Sequence, residues 1–228
     1  MSDNSFFREV DEAVRHDQYK KLWDRYGIAV LVLGALLIAG VAAYKGWVFW
    51  QERQSQEAGA EFTQALALEA DTDKDKARDA FAALAKDGPQ GYQVLSRFQL
   101  ASNDAKAGET DKAVAAYDAL ATDASVDPIL QGLATVQAAT LRLDNADYAE
   151  MERRLKGLID SESAWRFSAR ELLGLSAYRH DDMRVAEEQF SAILSNQRTP
   201  PNLRERANMM LTLIASSPSA LSSSSTTN

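Results

Sequence analysis

The sequence predicts an all-α chain in which one membrane-spanning helix precedes a series of stacked helical hairpins. Three observations carry that prediction. Positions 27–44, GIAVLVLGALLIAGVAAY, form an uncharged apolar run. The rest of the chain is patterned for alanine-rich helices, with no alternating strand pattern of any length. Small and aromatic residues then recur with a period near 36 residues, the mark of a repeat in which each unit buries its apolar face only against its neighbours.

The apolar run resumes after Lys45 as Gly46-Trp47-Val48-Phe49-Trp50, so a transmembrane helix is expected over 27–50. A helix of that length spans roughly 30 Å of hydrocarbon. Its body includes Ile28, Leu31, Leu36, Ile38 and Val41, and Lys45 sits near enough to one end for its side chain to reach the headgroups. Trp23 and Tyr26 mark one interface, and Tyr44, Trp47 and Trp50 the other. Arg15, Lys20, Lys21 and Arg25 precede the span, against Lys45 and Arg53 alone over 45–73, so the positive-inside rule places the N-terminus in the cytoplasm. The competing reading is a cleaved signal peptide cut near Val41-Ala42-Ala43. A long mixed-charge leader and an aromatic belt beyond the cut both speak against it.

Residues 1–26 are expected to form a cytoplasmic amphipathic helix, with Asn4 or Ser5 as its cap and Phe6, Phe7, Val10 and Val14 near one face. It either docks a cytoplasmic protein or rests on the inner leaflet. Outside the membrane, residues 51–215 make a single repeat domain, and the serine-rich stretch 216–228 reads as a disordered tail. Over 51–228 there are 19 Lys/Arg against 27 Asp/Glu, an acidic balance that argues against nucleic acid. The chain has no cysteine, which removes disulfides, thiolate metal sites and cysteine nucleophiles.

The repeat is anchored on Ala77, Ala113, Ala149 and Ala186. Four residues after each come Phe81, Tyr117, Arg153 and Phe190, and seven after come Leu84, Leu120, Lys156 and Ile193. Twelve residues before stand Ala65, Ala101, Gln137 and Gly174, mostly small, where two helices cross closely. The unit at Ala149 is degenerate, with charges in apolar slots, and a small register shift would bring Leu155 and Leu158 into them. The bland alternative is an irregular alanine-rich bundle whose small residues imitate a period.

Chemistry-bearing constellations are missing. His16 and His180 fall on opposite sides of the membrane, and His180-Asp181-Asp182 lies in a turn where polar residues are ordinary. Glu187 and Glu188 are consecutive on a helix and point about 100° apart, so they make no acid/base pair. Gly34 and Gly40 belong to the apolar run, and no glycine loop for phosphate is visible. The sequence therefore predicts no enzyme, cofactor, metal or small-molecule substrate.

The units LASNDAKAGETDKAVAAYDAL (100–120) and LGLSAYRHDDMRVAEEQFSAI (173–193) resemble the tetratricopeptide repeat, a helical hairpin of about 34 residues. The order of elements over 5–214 resembles the ancillary SecYEG translocon subunits of the YfgM type: a short helix FFREVDEAVRHDQYKKLWDRYG, one span ending in KGWVFW, then weak repeats. That resemblance implies a bacterial inner-membrane protein with a periplasmic repeat domain, an accessory to the SecYEG translocon that links it to a PpiD-like chaperone. It brings no catalytic residue. Groove-lining positions are expected between Gln93 and Ser102 and between Arg166 and Ala177. Two other readings remain open on the sequence, an envelope-assembly or cell-division scaffold and a membrane-bound signalling regulator.

Overall fold

The structure, a computed structural model, describes residues 3–70 and 73–216; the side chains of residues 3–24 and of Val30 lie outside that description. Among the described residues there are nine helices and no strand. They are α1 Asp3–Ala70, α2 Lys74–Asp87, α3 Gln90–Lys106, α4 Thr110–Thr122, α5 Pro128–Arg142, α6 Tyr148–Asp160, α7 Arg166–Arg179, α8 Met183–Ser195 and α9 Pro201–Ala215. The chain divides into two units, residues 1–57 and 58–228.

In the first unit α1 carries one stretch long and apolar enough to cross a membrane. Its apolar side chains turn outward: Ile28, Leu31, Leu36, Ile38, Val41, Trp47 and Trp50 are all more than half exposed. Such a surface is costly in water and at no cost in hydrocarbon, which also accepts the helix because every backbone bond is internal. The unit boundary falls after Glu57: residues 51–57 carry no buried side chain, and the first beyond them is Ala58. The face assigned to Phe6, Phe7, Val10 and Val14 lies outside the described side chains. Of the serine-rich stretch 216–228, only Ser216, which caps α9, lies within the described residues.

The second unit is built of hairpins: the end of α1 with α2, α3 with α4, α5 with α6, α7 with α8, and then α9. The first helix of each pair is called A and the second B. Three of the four A-to-B turns close with the same bond, from the N–H that starts B to a carbonyl five residues back: Asp73 to Leu68 (3.1 Å), Glu109 to Asp104 (2.9 Å) and Asp182 to Ala177 (3.0 Å). This closure satisfies orphan carbonyls at the end of helix A. In two of these turns it places a residue in the left-handed region, Gly108 at φ 80° and Asp181 at φ 60°. Every B helix starts on an acidic residue, Asp73, Glu109, Asp147 and Asp182, where a negative charge meets the positive helix end.

Counting from those starts identifies the equivalent core residues. The carbonyl of each starting residue accepts from the N–H four positions on, which belongs to Ala77, Ala113, Met151 and Ala186. Four further on lie Phe81, Tyr117, Leu155 and Phe190, all buried. Eight residues before the starts lie the small residues Ala65, Ala101, Ala139 and Gly174, also buried. Filling each slot with a large side chain contributes about 1.5–3 kcal/mol of burial.

The third hairpin corrects the expected register. Ala149 is exposed, as are Arg153 and Lys156; Met151 and Leu155 occupy the core in their place, two positions later, and Ala139 replaces Gln137 on helix A. Two differences accompany the shift. The α2–α3 connection is only Gly88-Pro89, whereas the α4–α5 connection runs over 123–127 and tucks Val126 into the core. The α5–α6 turn also differs, closing through Asn145 and Ala146 onto the Arg142 carbonyl (2.9 and 2.8 Å) with no left-handed residue.

Candidate interaction surface

Successive A helices are joined by polar links. Glu69 on α1 accepts from Gln99 (2.7 Å) on α3 and from Lys106 (2.9 Å) just before the turn. Burial opposes its charge, but the Lys106 and Gln99 bonds outweigh that and hold its carboxyl below the ordinary value. The Trp165 indole before α7 donates to the Ile129 carbonyl of α5 (2.8 Å) and lies against Gly132, where a Cβ would come within 2.5 Å of the ring. Arg179 donates to the carbonyls of Leu143 and Asp144. Arg206 of α9 grips Glu171 of α7 with two bonds (2.5 and 2.8 Å). On the B side, Arg154 of α6 reaches Asp118 of α4 (2.6 Å).

These links decide what the expected groove positions do. In α3, Leu95 is exposed, Phe98 packs on Tyr117 (centroids 5.9 Å apart) and Gln99 is committed to Glu69. In α7, Glu171 is committed to Arg206, while Phe167, Leu172 and Leu173 belong to the core. The two stretches therefore present mixed surfaces, with single apolar side chains between charge-bearing links. Other exposed apolar side chains of this unit are Leu66, Ile129, Met209 and Leu213.

Two open clefts lie at opposite ends of the hairpins. One, of about 170 Å³, is bordered by Glu69, Lys74, Asp75, Arg78, Asn103 and Lys106. Beside it the buried Asp104 is bound by Arg78 (2.8 Å) and Lys112 (3.4 Å). The other, of about 350 Å³, lies where α6 and α8 end, among Ile159, Ser161, Arg166, Arg170, Ser195 and Asn196. Arg166 covers the Phe167 ring at 4.6 Å and binds Glu162 at 2.7 Å. Arg170 donates to the Gln189 amide oxygen at 3.0 Å.

At the corresponding end of the second hairpin the arginine has a carboxylate partner. Arg97 binds Asp123 at 2.7 Å, and Asp123 also accepts from the Ser125 hydroxyl (2.7 Å) and N–H (3.0 Å). The Ser125 hydroxyl first, and then Arg97, bring the Asp123 carboxyl down to about 2.

The residues singled out as chemical candidates serve the turn. His180 Nδ1 lies 2.8 Å from the Ser176 carbonyl, Asp182 caps α8 by accepting from the Val185 N–H (3.1 Å), and Asp181 supplies the left-handed step. Among the described residues no three His, Asp or Glu side chains converge on a metal-sized site. Sequence reasoning missed Met151, the Trp165–Gly132 contact and Arg170. Met151 could have been found by counting from the acidic B-helix starts rather than from alanines. Arg170 carries no signal in its own neighbourhood and becomes visible only beside Arg97.

A family model described as a tetratricopeptide repeat-like domain matches residues 20–213, a span that takes in both the apolar run and the hairpins. No curated protein and no solved structure matches the sequence.

Proposed function

The chain belongs to the tetratricopeptide repeat-like domain family, a family of protein–protein interaction modules, and from that premise we propose that it is a membrane-anchored docking protein of the bacterial envelope. The observation that carries this reading is the joining, within one family match, of an exposed apolar helix stretch to hairpins whose apolar residues are largely spent on one another. The hairpins satisfy their own cores and leave a mixed, charge-bearing surface, which suits reversible contacts with proteins. The anchor confines such contacts to the membrane surface, where a raised effective concentration lets weak ones be occupied.

Orientation rests on charge. Arg15, Lys20, Lys21 and Arg25 precede the apolar run and hold the N-terminus in the cytoplasm, so the repeat unit lies in the periplasm of a bacterial inner membrane. The order of elements supports a place beside the SecYEG translocon, with a PpiD-like chaperone as a neighbour to which emerging proteins are passed. The reading calls for no cofactor, nucleic acid or small-molecule substrate.

Affinity purification of the full-length protein from detergent-solubilised membranes, followed by mass spectrometry, tests the partners. Translocon subunits and a periplasmic chaperone are the expected recovery. Recovery of division or envelope-assembly proteins in their place would replace this reading with a scaffold, and recovery of a cytoplasmic regulator bound through residues 1–26 with a signalling role. A periplasm-active reporter fused after Asn228 tests orientation, and an inactive fusion of normal abundance would reverse it.

A further inference from the structure

The second and fourth hairpins match closely, and their differences isolate one arginine without a carboxylate partner among the described residues. Residues 73 positions apart occupy matching places: Gly108 and Asp181 take the left-handed step, Tyr117 and Phe190 fill the core, and Pro128 and Pro201 open the next helix. The match extends to individual bonds at the hairpin end. Asp123 and Asn196 each accept, through a side-chain oxygen, the N–H two residues on (3.0 and 2.9 Å). The carbonyls of the same two residues accept from Gln131 (2.8 Å) and Arg204 (2.6 Å), again an equivalent pair.

At this shared position the second hairpin presents a carboxylate to Arg97 at 2.7 Å, and the fourth presents the neutral Asn196 to the equivalent Arg170. Arg170 is half-buried and has no carboxylate within ion-pair distance among the described residues; its one described bond goes to the neutral Gln189 oxygen, where the second hairpin has Ala116. The two acids bordering its cleft are engaged elsewhere, Asp160 with Lys156 (2.7 Å) and Glu162 with Arg166 (2.7 Å) and Arg198 (3.2 Å). A guanidinium has five N–H donors in a flat fork suited to a carboxylate, and the one described bond of Arg170 goes to a neutral oxygen. Where Asp123 meets Arg97 in the second hairpin, the fourth has Asn196 bordering an open cleft of about 350 Å³.

We infer that the Arg170 cleft receives a carboxylate from a partner polypeptide, in the place that Asp123 fills internally at Arg97. The inference rests on the docking reading above and gives it a site and a chemistry. The carboxylate comes either from an Asp or Glu side chain or from the terminal carboxyl group of the polypeptide; both offer two oxygens to the same fork.

The test uses the full-length protein in detergent micelles and three labelled peptides followed by fluorescence anisotropy. One is neutral with a free C-terminal carboxylate, one is Asp/Glu-rich with an amidated C-terminus, and one is neutral and amidated. At least one carboxylate-bearing peptide is expected to bind more tightly than the neutral amidated one, and which of them does so identifies the source. Arg170→Gln removes the charge and Asn196→Asp supplies an internal carboxylate, so each should weaken that peptide about tenfold or more. Asn196→Asp should unfold at or above the temperature of the parent, since it restores the arrangement of the second hairpin, which separates lost binding from lost folding. Equal binding of all three peptides, or an affinity unchanged by both substitutions, overturns the inference. In purification from membranes, loss of partners only in Arg170→Gln places them at this cleft, and equal recovery by parent and variant shows that the cleft does not hold them. Absence of partners from the parent itself refutes the docking reading instead.

Discussion

The third hairpin and its neighbours on either side solve the same packing problem with different residues. In α3–α4 and α7–α8 a small residue on helix A meets an aromatic on helix B, Ala101 with Tyr117 and Gly174 with Phe190. In α5–α6 the pairing is Ala139 with Leu155, helped by Met151, and the ends are held by an ionic cluster: Arg142 grips Glu150 (3.0 and 3.1 Å), which also binds Arg154 (3.2 Å). What persists through all four hairpins is the distance from the small residue to the acidic start of helix B and on to the core slot. The identity of the residues, and the length of the connection to the next hairpin, vary around it. A repeat of this kind is specified by where the backbone turns, and side chains are free to drift as long as volume in the slot is kept.

The sharpest way to break that comparison is to exchange the two candidate registers of α6. Leu155→Ala should cost about 2–5 kcal/mol, the range for removing a fully buried leucine from a packed core. Ala149→Leu and Arg153→Ala, both at exposed positions, should stay within about 0.5 kcal/mol. Urea unfolding of the full-length protein in detergent, followed by helical circular dichroism, measures all three. A large loss for either exposed change with a small one for Leu155→Ala would restore the alanine-based register.

The same contrast explains how much was legible beforehand. The apolar run, the helical class and the second and fourth hairpins could be read directly because each depends on residues within one or two helices. Ala149 misled because a period in alanines tracks sequence length, whereas the fold counts from the turns, and the spacing of the turns is not constant along the chain. The Arg170 cleft was harder still. Its meaning depends on a residue 73 positions away that it does not touch, and on Asn196 where a carboxylate stands in the twin.

A smaller effect is expected at the small positions of helix A. A Cβ on Gly174 would lie 3.0 Å from two Phe190 ring carbons and 3.3 Å from Gln189 Cβ, and Phe190 is fully buried with no room to withdraw. Gly174→Ala should therefore destabilise by about 1–2 kcal/mol, overpacking outweighing the roughly 1 kcal/mol that alanine gains in a helix. Ala101→Gly, in the hairpin where alanine already fits, should lose about 1 kcal/mol from propensity and lost contact. A gain in stability from Gly174→Ala would mean that the fourth hairpin crosses no more closely than the second.

The turns offer a smaller contrast, of about 0.5–1 kcal/mol, because Gly108 and Asp181 sit in the same left-handed step and only glycine adopts it without strain. Asp181→Gly should stabilise by about that amount, and Gly108→Ala should destabilise by about 1 kcal/mol. Thermal midpoints of the two variants moving in the same direction would show that the turns are not equivalent.

The smallest effect is electrostatic, and its pH dependence appears only in acid. Asp123 titrates at about 2 against an ordinary 3.8, because the Ser125 hydroxyl and Arg97 favour its ionised form, while Asn196 in the twin hairpin has nothing to titrate. A depressed carboxylate stabilises the folded state fully above its unfolded value and ceases to do so as pH falls through its folded value. The contribution of Asp123 should thus be constant above about pH 4, fade between about 4 and 2, and vanish below. Subtracting the urea midpoint of Asp123→Asn from that of the parent at each pH isolates it, since other carboxylates titrate in both. The difference should be flat near neutrality and fall only in that acid window. A difference that already declines above pH 5 would mean that the bonds from Ser125 and Arg97 do not hold the carboxyl down, and the contrast between Asp123 and Asn196 would then not be one of a stabilised charge.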